Sequence, residues 1–173
     1  MLTALHDAII ADLAATFPAL PTCVAWPHLA RKIRIPAVYI ELVEMVPADD
    51  RGTEQLALTA RFTAWIVFDR TAQDDHLQAA NLAASVAHRI YKAGRFGQVV
   101  GPAKITHIGA DDFKPEFIGY TVWSVEWTHD LRLGESIWDG SGVLPVEVYL
   151  GITPEIGLGH EADYFRVNEV PDV

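Results

Sequence analysis

From residue 56 to residue 68 every second side chain is apolar: Leu56, Leu58, Ala60, Phe62, Ala64, Ile66 and Phe68. Between them stand Ala57, Thr59, Arg61, Thr63, Trp65 and Val67. A period of two held this long predicts one strand with a buried apolar face and a mixed face that is half-exposed or meets a partner. Residues 120–133 repeat the pattern, with Thr121, Trp123, Val125, Trp127, His129, Leu131 and Leu133 on one face opposite Tyr120, Val122, Ser124, Glu126, Thr128 and Asp130. Each long strand follows a shorter one across an acidic turn: residues 37–45 and a turn at 47–52, then residues 103–108 and a turn at 109–119. Strands of this length joined by turns pair antiparallel, so two β-hairpins are expected.

Helical spacing accounts for two further segments. Leu2, Leu5, Ile9, Leu13 and Phe17 recur at intervals of three and four, while His6, Asp7 and Asp12 fall elsewhere. That is one apolar stripe, with Thr3 as the expected N-cap and Pro18 and Pro21 as the stop. Residues 74–91, between the hairpins, bury Ala79, Leu82, Ala83, Val86 and Ile90 on one face, and their small residues let a helix lie close on a sheet. Asp74 and Asp75 suit the positive end of its dipole, and Gly94 suits its C-cap. Residues 23–26 read as a short strand, and residues 28–34, with Arg31, Lys32 and Arg34, as a loop or exposed edge before Pro36. The expected fold class is α+β: a mostly antiparallel sheet of two β-hairpins with two helices packed on one face.

The texture changes after Leu133. Gly134, Gly140, Gly142, Gly151, Gly157 and Gly159, with Pro145, Pro154 and Pro171, break every period, and only residues 146–152 read as a strand. Yet the segment holds Ile137, Trp138, Val148, Tyr149, Ile156, Leu158, Tyr164 and Phe165. We therefore expect a body over residues 1–134 and an extended C-terminal arm over residues 135–173, laid on its own body or on a neighbour.

Charge sharpens that division. The net charge is −10, and half of the 173 residues are hydrophobic, an ordinary value for a folded domain. Residues 135–173 hold eight acids against one base, Arg166, giving −7; residues 1–134 hold 15 acids against 12 bases, giving −3. The body is nearly neutral and the arm is acidic. With no basic stripe, specific nucleic-acid binding through phosphates is not expected. No run reaches the roughly 18 apolar residues of a spanning helix, and the N-terminus lacks a signal peptide's basic flank, so residence in a cytoplasm is expected. Cys23, the single cysteine, supplies neither an internal disulfide nor a CxxC pair and reads as a small buried residue.

Candidate chemistry is sparse. His6 and His88 fall on predicted helices without an acid or His partner four residues on. His107 and His129 fall on strands, where pairing can bring them near Asp111, Asp112 or Glu126 as ligands for a divalent metal. The cluster His160, Glu161, Asp163 fails the HExxH pattern because Tyr164 stands at the fifth position. Asp49 with Asp50 and Asp111 with Asp112 lie in turns, and Asp74 with Asp75 opens a helix, positions where Asp serves local hydrogen bonding. Gly157 and Gly159 lack the strand-to-helix setting of a dinucleotide loop. Ser85, Ser124, Ser136 and Ser141 have no motif that would activate a nucleophile. No cofactor, metal site or catalytic residue is assigned, and an enzyme is not expected. The aromatic residues Trp65, Trp138, Tyr149, Tyr164 and Phe165, of types enriched at interfaces, are the candidates for subunit contacts.

The layout as a whole carries a resemblance. The Leu5, Ile9, Leu13 helix, a proline-broken link, the strands at residues 36–42 and 59–68, the Ala-rich helix and the strand at residues 121–127 resemble, in order and texture, tail terminator proteins of tailed bacteriophages and phage-derived contractile tails. The resemblance spans about residues 3–134 and includes no short diagnostic motif. It implies a structural virion protein of the tail, present in the host cytoplasm during assembly. Such a protein forms a homo-oligomeric ring, commonly a hexamer, that caps the tail tube, ends its polymerisation and offers a surface to the head or neck. The implied partners are other copies of the chain, the tail tube protein and a head-tail connector or neck protein. DNA would pass through the lumen, and the loops bearing Asp49, Asp50, Asp111 and Asp112 would face lumen or tube and repel phosphate. The alternatives are a head-to-tail connector or neck protein, or a metal-dependent enzyme using His107, His129 and the nearby acids.

Overall fold

The structure, a computed structural model, describes residues 1–26, 34–49, 52–71, 74–111, 115–138 and 147–167. The chain divides into two compact units, residues 1–135 and 136–173. The first is the α+β body. Its elements in chain order are α1 (Leu2–Thr16), β1 (Thr22–Ala25), β2 (Ala37–Pro47), β3 (Leu56–Asp69), α2 (Asp75–Ala93), β4 (Lys104–Ala110), a 3-10 turn (Pro115–Phe117) and β5 (Tyr120–Leu133).

The five strands form one sheet in the order β1-β2-β3-β5-β4. The hairpins β2-β3 and β4-β5 meet through their long return strands, which pair antiparallel without a break from Leu56 opposite Leu133 to Asp69 opposite Tyr120. Only β1 is parallel, and it pairs with the first four residues of β2, from Ala37 to Ile40. Two bulges interrupt the outer pairs. Val43 is the extra residue of β2, between Leu42 and Glu44. Thr106 is the extra residue of β4, between Ile105 and His107.

Both helices pack on the face that carries the apolar alternation. Leu5, Ile9 and Leu13 of α1 and Ala83, Val86, Ala87 and Ile90 of α2 join Phe62, Ala64, Ile66, Val125, Trp127 and Leu131 of the sheet in one core. Removing such side chains from water supplies most of the folding free energy, about 25 cal/mol for each Å² of apolar surface. Asp12 of α1 accepts from Arg89 of α2, Nε to Oδ2 at 2.8 Å, and ties the two helices together. The amide of Gly94, whose φ of 64° is in the region that favours glycine, closes α2 on the Ile90 carbonyl at 3.0 Å.

Two local expectations are corrected. Thr3 is not an N-cap: α1 begins at Leu2 with Met1 in the cap position, and Leu5 N–H donates to the Met1 carbonyl at 3.0 Å. The helix opens two residues earlier because nothing before Thr3 breaks its period. The mixed face of β3 is not uniformly open either. At one end Val67 is fully buried and Thr63 nearly so, beneath a second core of Ala37, Tyr39, Phe117 and Val122. Trp26 crosses Tyr39 edge-on at 5.6 Å, and Phe117, delivered by the 3-10 turn, lies 5.1 Å from Trp26. At the other end Ala57, Thr59 and Arg61 stay half-exposed.

In the second unit the described residues form a two-stranded antiparallel ribbon, β6 (Tyr149–Leu150) with β7 (Phe165–Arg166), extended by Val167 N–H donating to the Val148 carbonyl at 2.9 Å. The Tyr164 hydroxyl accepts from Gly157 N–H at 2.9 Å. Gly151 has no room for a side chain, since a Cβ would stand 2.8 Å from the Tyr164 ring. Val148, Tyr149, Leu150, Ile152, Ile156, Leu158, Phe165 and Val167 are all exposed.

Candidate functional site

The histidines proposed as metal ligands lie on opposite faces of the sheet. His129 faces the helices. It is fully buried, edge-on to Phe62 and to Phe96, and its Nδ1 meets the Gly101 carbonyl at 2.9 Å. Because a carbonyl can only accept, Nδ1 carries the proton. Burial pushes the imidazole below its ordinary pKa, against the smaller opposing pull of the Gly101 carbonyl and Asp130. His107 pairs across β4-β5 with Glu126 and is exposed on the other face. Among the described residues no three His, Cys, Asp or Glu side chains converge. Asp112 lies outside the described residues.

The remaining titratable candidates serve local structure. His6 Nε2 is 3.2 Å from the Ile40 carbonyl. His88 is exposed on α2. His160 Nδ1 is 3.0 Å from Asp163 Oδ2, and the Glu161 carboxyl is held below the ordinary range by its own backbone N–H and then by the Gly159 amide it accepts. Asp75 accepts the Thr121 hydroxyl, joining α2 to β5, and that bond lowers its pKa. Burial pushes the Cys23 thiol up to about 11.

Of the proposed tube-facing loops, Asp49 is exposed just after β2, and Asp111 follows β4 with its N–H donating to the Val122 carbonyl at 3.0 Å. Asp50 and Asp112 lie outside the described residues. Asp111 also lines a cavity of about 270 Å³ with Arg70, Phe117, Gly119, Tyr120 and Val122.

The five aromatic candidates part company. Trp65 is half-buried, donates from Nε1 to Glu41 Oε2 at 2.7 Å and lies 6.4 Å from Phe117, so its ring serves the second core of its own chain. Tyr164 is half-buried inside the second unit. Trp138, Tyr149 and Phe165 are exposed, Trp138 by 77%. Tyr149 and Arg166 both engage Glu147, the tyrosine hydroxyl at 2.6 Å.

Sequence reasoning passed over the margins of the main sheet. Val43, Met45 and Val46 at the end of β2 are exposed by 44, 44 and 48%, and Ile108 of β4 by 43%. The signal was in the sequence, where apolar residues continue through 42–46 past the point at which alternation places them inside. No family model matches the chain, and no curated protein matches its sequence.

Proposed function

We propose that this chain is a structural subunit of a phage-type tail, a terminator that forms a ring on the finished end of the tail tube, stops tube growth and presents a surface to the head or neck. The observation that carries the reading is the arrangement of the body: helix, strand, hairpin, helix and hairpin close into a single sheet with both helices on one face. This is the element order on which the resemblance rests, and among the described residues Ala57, Thr59 and Arg61 stay half-exposed on the side away from the helices. A head-to-tail contact between such surfaces closes into a ring when the rotation between copies divides the circle. The exposed apolar residues of the second unit supply further contact area.

The experiment is light scattering on the chain purified alone and with tail tube. An oligomer, or assembly triggered by tube ends, is the expected result. A strict monomer that ignores the tube overturns the proposal. A connector or neck protein would instead co-purify with portal-side proteins and leave tube ends unbound.

A further inference from the structure

Two stretches of backbone at the margins of the main sheet have no strand beside them among the described residues. β4 is the last strand on one side. On the other side β1 stops opposite Ile40, so residues 41–47 of β2 run on past it. An open edge is a row of N–H and C=O groups ready to accept another strand, most strongly where the side chains along it are apolar. Val43, Met45, Val46 and Ile108 meet that condition.

Strand direction selects how the two edges can meet. The pairs β2-β3, β3-β5 and β5-β4 are all antiparallel, so β2 and β4 run in opposite directions. A second copy placed in the same orientation beside the first therefore sets its β2 antiparallel to the first copy's β4. The alternation of the sheet then continues across the junction.

The side chains select further. Pairing runs across the sheet in rows: Leu42, Phe62, Trp127 and Ile105 form one, and Glu44, Arg61, Thr128 and Lys104 form the next. Leu42 and Met45 on one edge, and Ile105 and Ile108 on the other, thus share the helix-bearing face. Glu41 and Glu44, and opposite them Lys104 and His107, share the other face. A register that sets Glu44 opposite Lys104 or His107 places apolar against apolar on the helix-bearing face and an acid against a base on the other, where Val46 also stands. A two-fold pairing of β4 with β4, or of β2 with β2, would set like charges against each other, which is destabilising. Glu44 and Lys104 already hold Arg61 and Asp130 at 2.9 and 2.7 Å, but all four side chains are at least two-fifths exposed and open to a second partner. The bulges at Val43 and Thr106 twist both edges and discourage an indiscriminate strand, so the fitting occupant is a second copy of this chain.

We infer that copies join head to tail through their sheets, β4 of one pairing antiparallel with residues 41–47 of the next. The inference rests on the ring reading and names the surfaces that close the ring. Its test uses the full chain as two variants, Met45→Cys and Ile108→Cys, treated with a short bis-maleimide, with circular dichroism to verify folding. Glu44→Cys with His107→Cys is the second pair should either variant misfold. A mixture of the two variants gives a cross-linked dimer, and neither variant cross-links alone. Self-linking of one variant overturns the head-to-tail geometry. An oligomer by light scattering with no cross-link in either mixture overturns edge pairing and leaves the ring standing on another surface. A monomer with no cross-link overturns both.

Discussion

His129 fastens Gly101: the imidazole Nδ1 donates to the Gly101 carbonyl at 2.9 Å, while Gly101 N–H donates to the Asp130 carbonyl at 2.7 Å. The loop that leaves α2 is thereby locked to β5 on both sides of one residue. His129 Nε2 is buried and meets no polar partner among the described residues. Protonating it would place a charge in an apolar core, which is why burial lowers its pKa. The folded pKa lies below the ordinary value of about 6.5, so its contribution to stability is complete above that pH and is lost as pH falls through the folded pKa. We predict that urea midpoints of the natural chain drop as pH is lowered from about 7 to 5, more steeply than those of His129→Gln. Parallel curves would refute the assignment.

Gly101 and Gly109 provide a contrast in what a methyl group meets. At Gly101 a Cβ would stand 2.9 Å from Asp130 Cβ, 3.2 Å from its nitrogen and 3.3 Å from its oxygen, and the strand backbone cannot retreat. At Gly109 the obstruction is the His107 ring at 2.6 Å, the end of a side chain that can swing into solvent. Gly101→Ala is predicted to destabilise by about 1–3 kcal/mol in chemical denaturation, and Gly109→Ala by less.

Phe117 is the keystone of the second core, within 5.1–6.4 Å of Trp26, Tyr39 and Trp65. Phe117→Ala empties that site, and an expected loss of about 3–5 kcal/mol should appear in urea unfolding. Tryptophan fluorescence should shift to the red as Trp26 and Trp65 gain contact with water. A loss below about 1 kcal/mol would mean that the turn carrying Phe117 contributes little to the body.

Cys23 is the one thiol, and its raised pKa keeps it protonated at neutral pH. The thiolate is the reactive form. Labelling by a maleimide at pH 8 should be slow in the folded chain and rapid in urea; equal rates would contradict the burial.

Deleting residues 136–173 removes none of the side chains in either core of the body. The shortened chain is expected to keep a cooperative thermal transition and its far-ultraviolet dichroism, and to assemble more weakly, with the oligomer appearing only at higher protein concentration by light scattering. An unfolded product would show that the body depends on the second unit.

What could be read from the sequence was whatever repeats. The alternation from Leu56 to Phe68 and from Tyr120 to Leu133, and the stripes from Leu5 to Leu13 and from Ala79 to Ile90, each extend over many residues, so one ambiguous position does no harm. They yield the strands, the helices and the buried face. The bulges at Val43 and Thr106 were not legible, because a single extra residue leaves the apolar tally unchanged while turning the edge. Nor was the second core. Phe117 belongs to a segment with the composition of a turn, and only a fold that brings residues 26, 39, 65 and 117 together shows why the turn carries a phenylalanine. The packing of Trp65 near Phe117 was hidden for the same reason, since alternation reveals which face a side chain takes but not what covers that face. The open edges required the strand order, which no single segment contains.

The pairing of Leu56 with Leu133 also orders events during synthesis. The first hairpin is complete once residue 69 has left the ribosome, yet the neighbour of its long return strand is not made until residue 133. In the interval β3 has β2 beside it and α1 on its apolar face, with α2 added once residue 93 is made, while its far edge stays bare. Contacts this distant in sequence form slowly, because the loop between them must first be closed. A nascent chain that stalls between residues 70 and 120 therefore displays an unfinished edge where the finished body has its most extensive pairing, and that interval is when the chain most needs shelter from its neighbours.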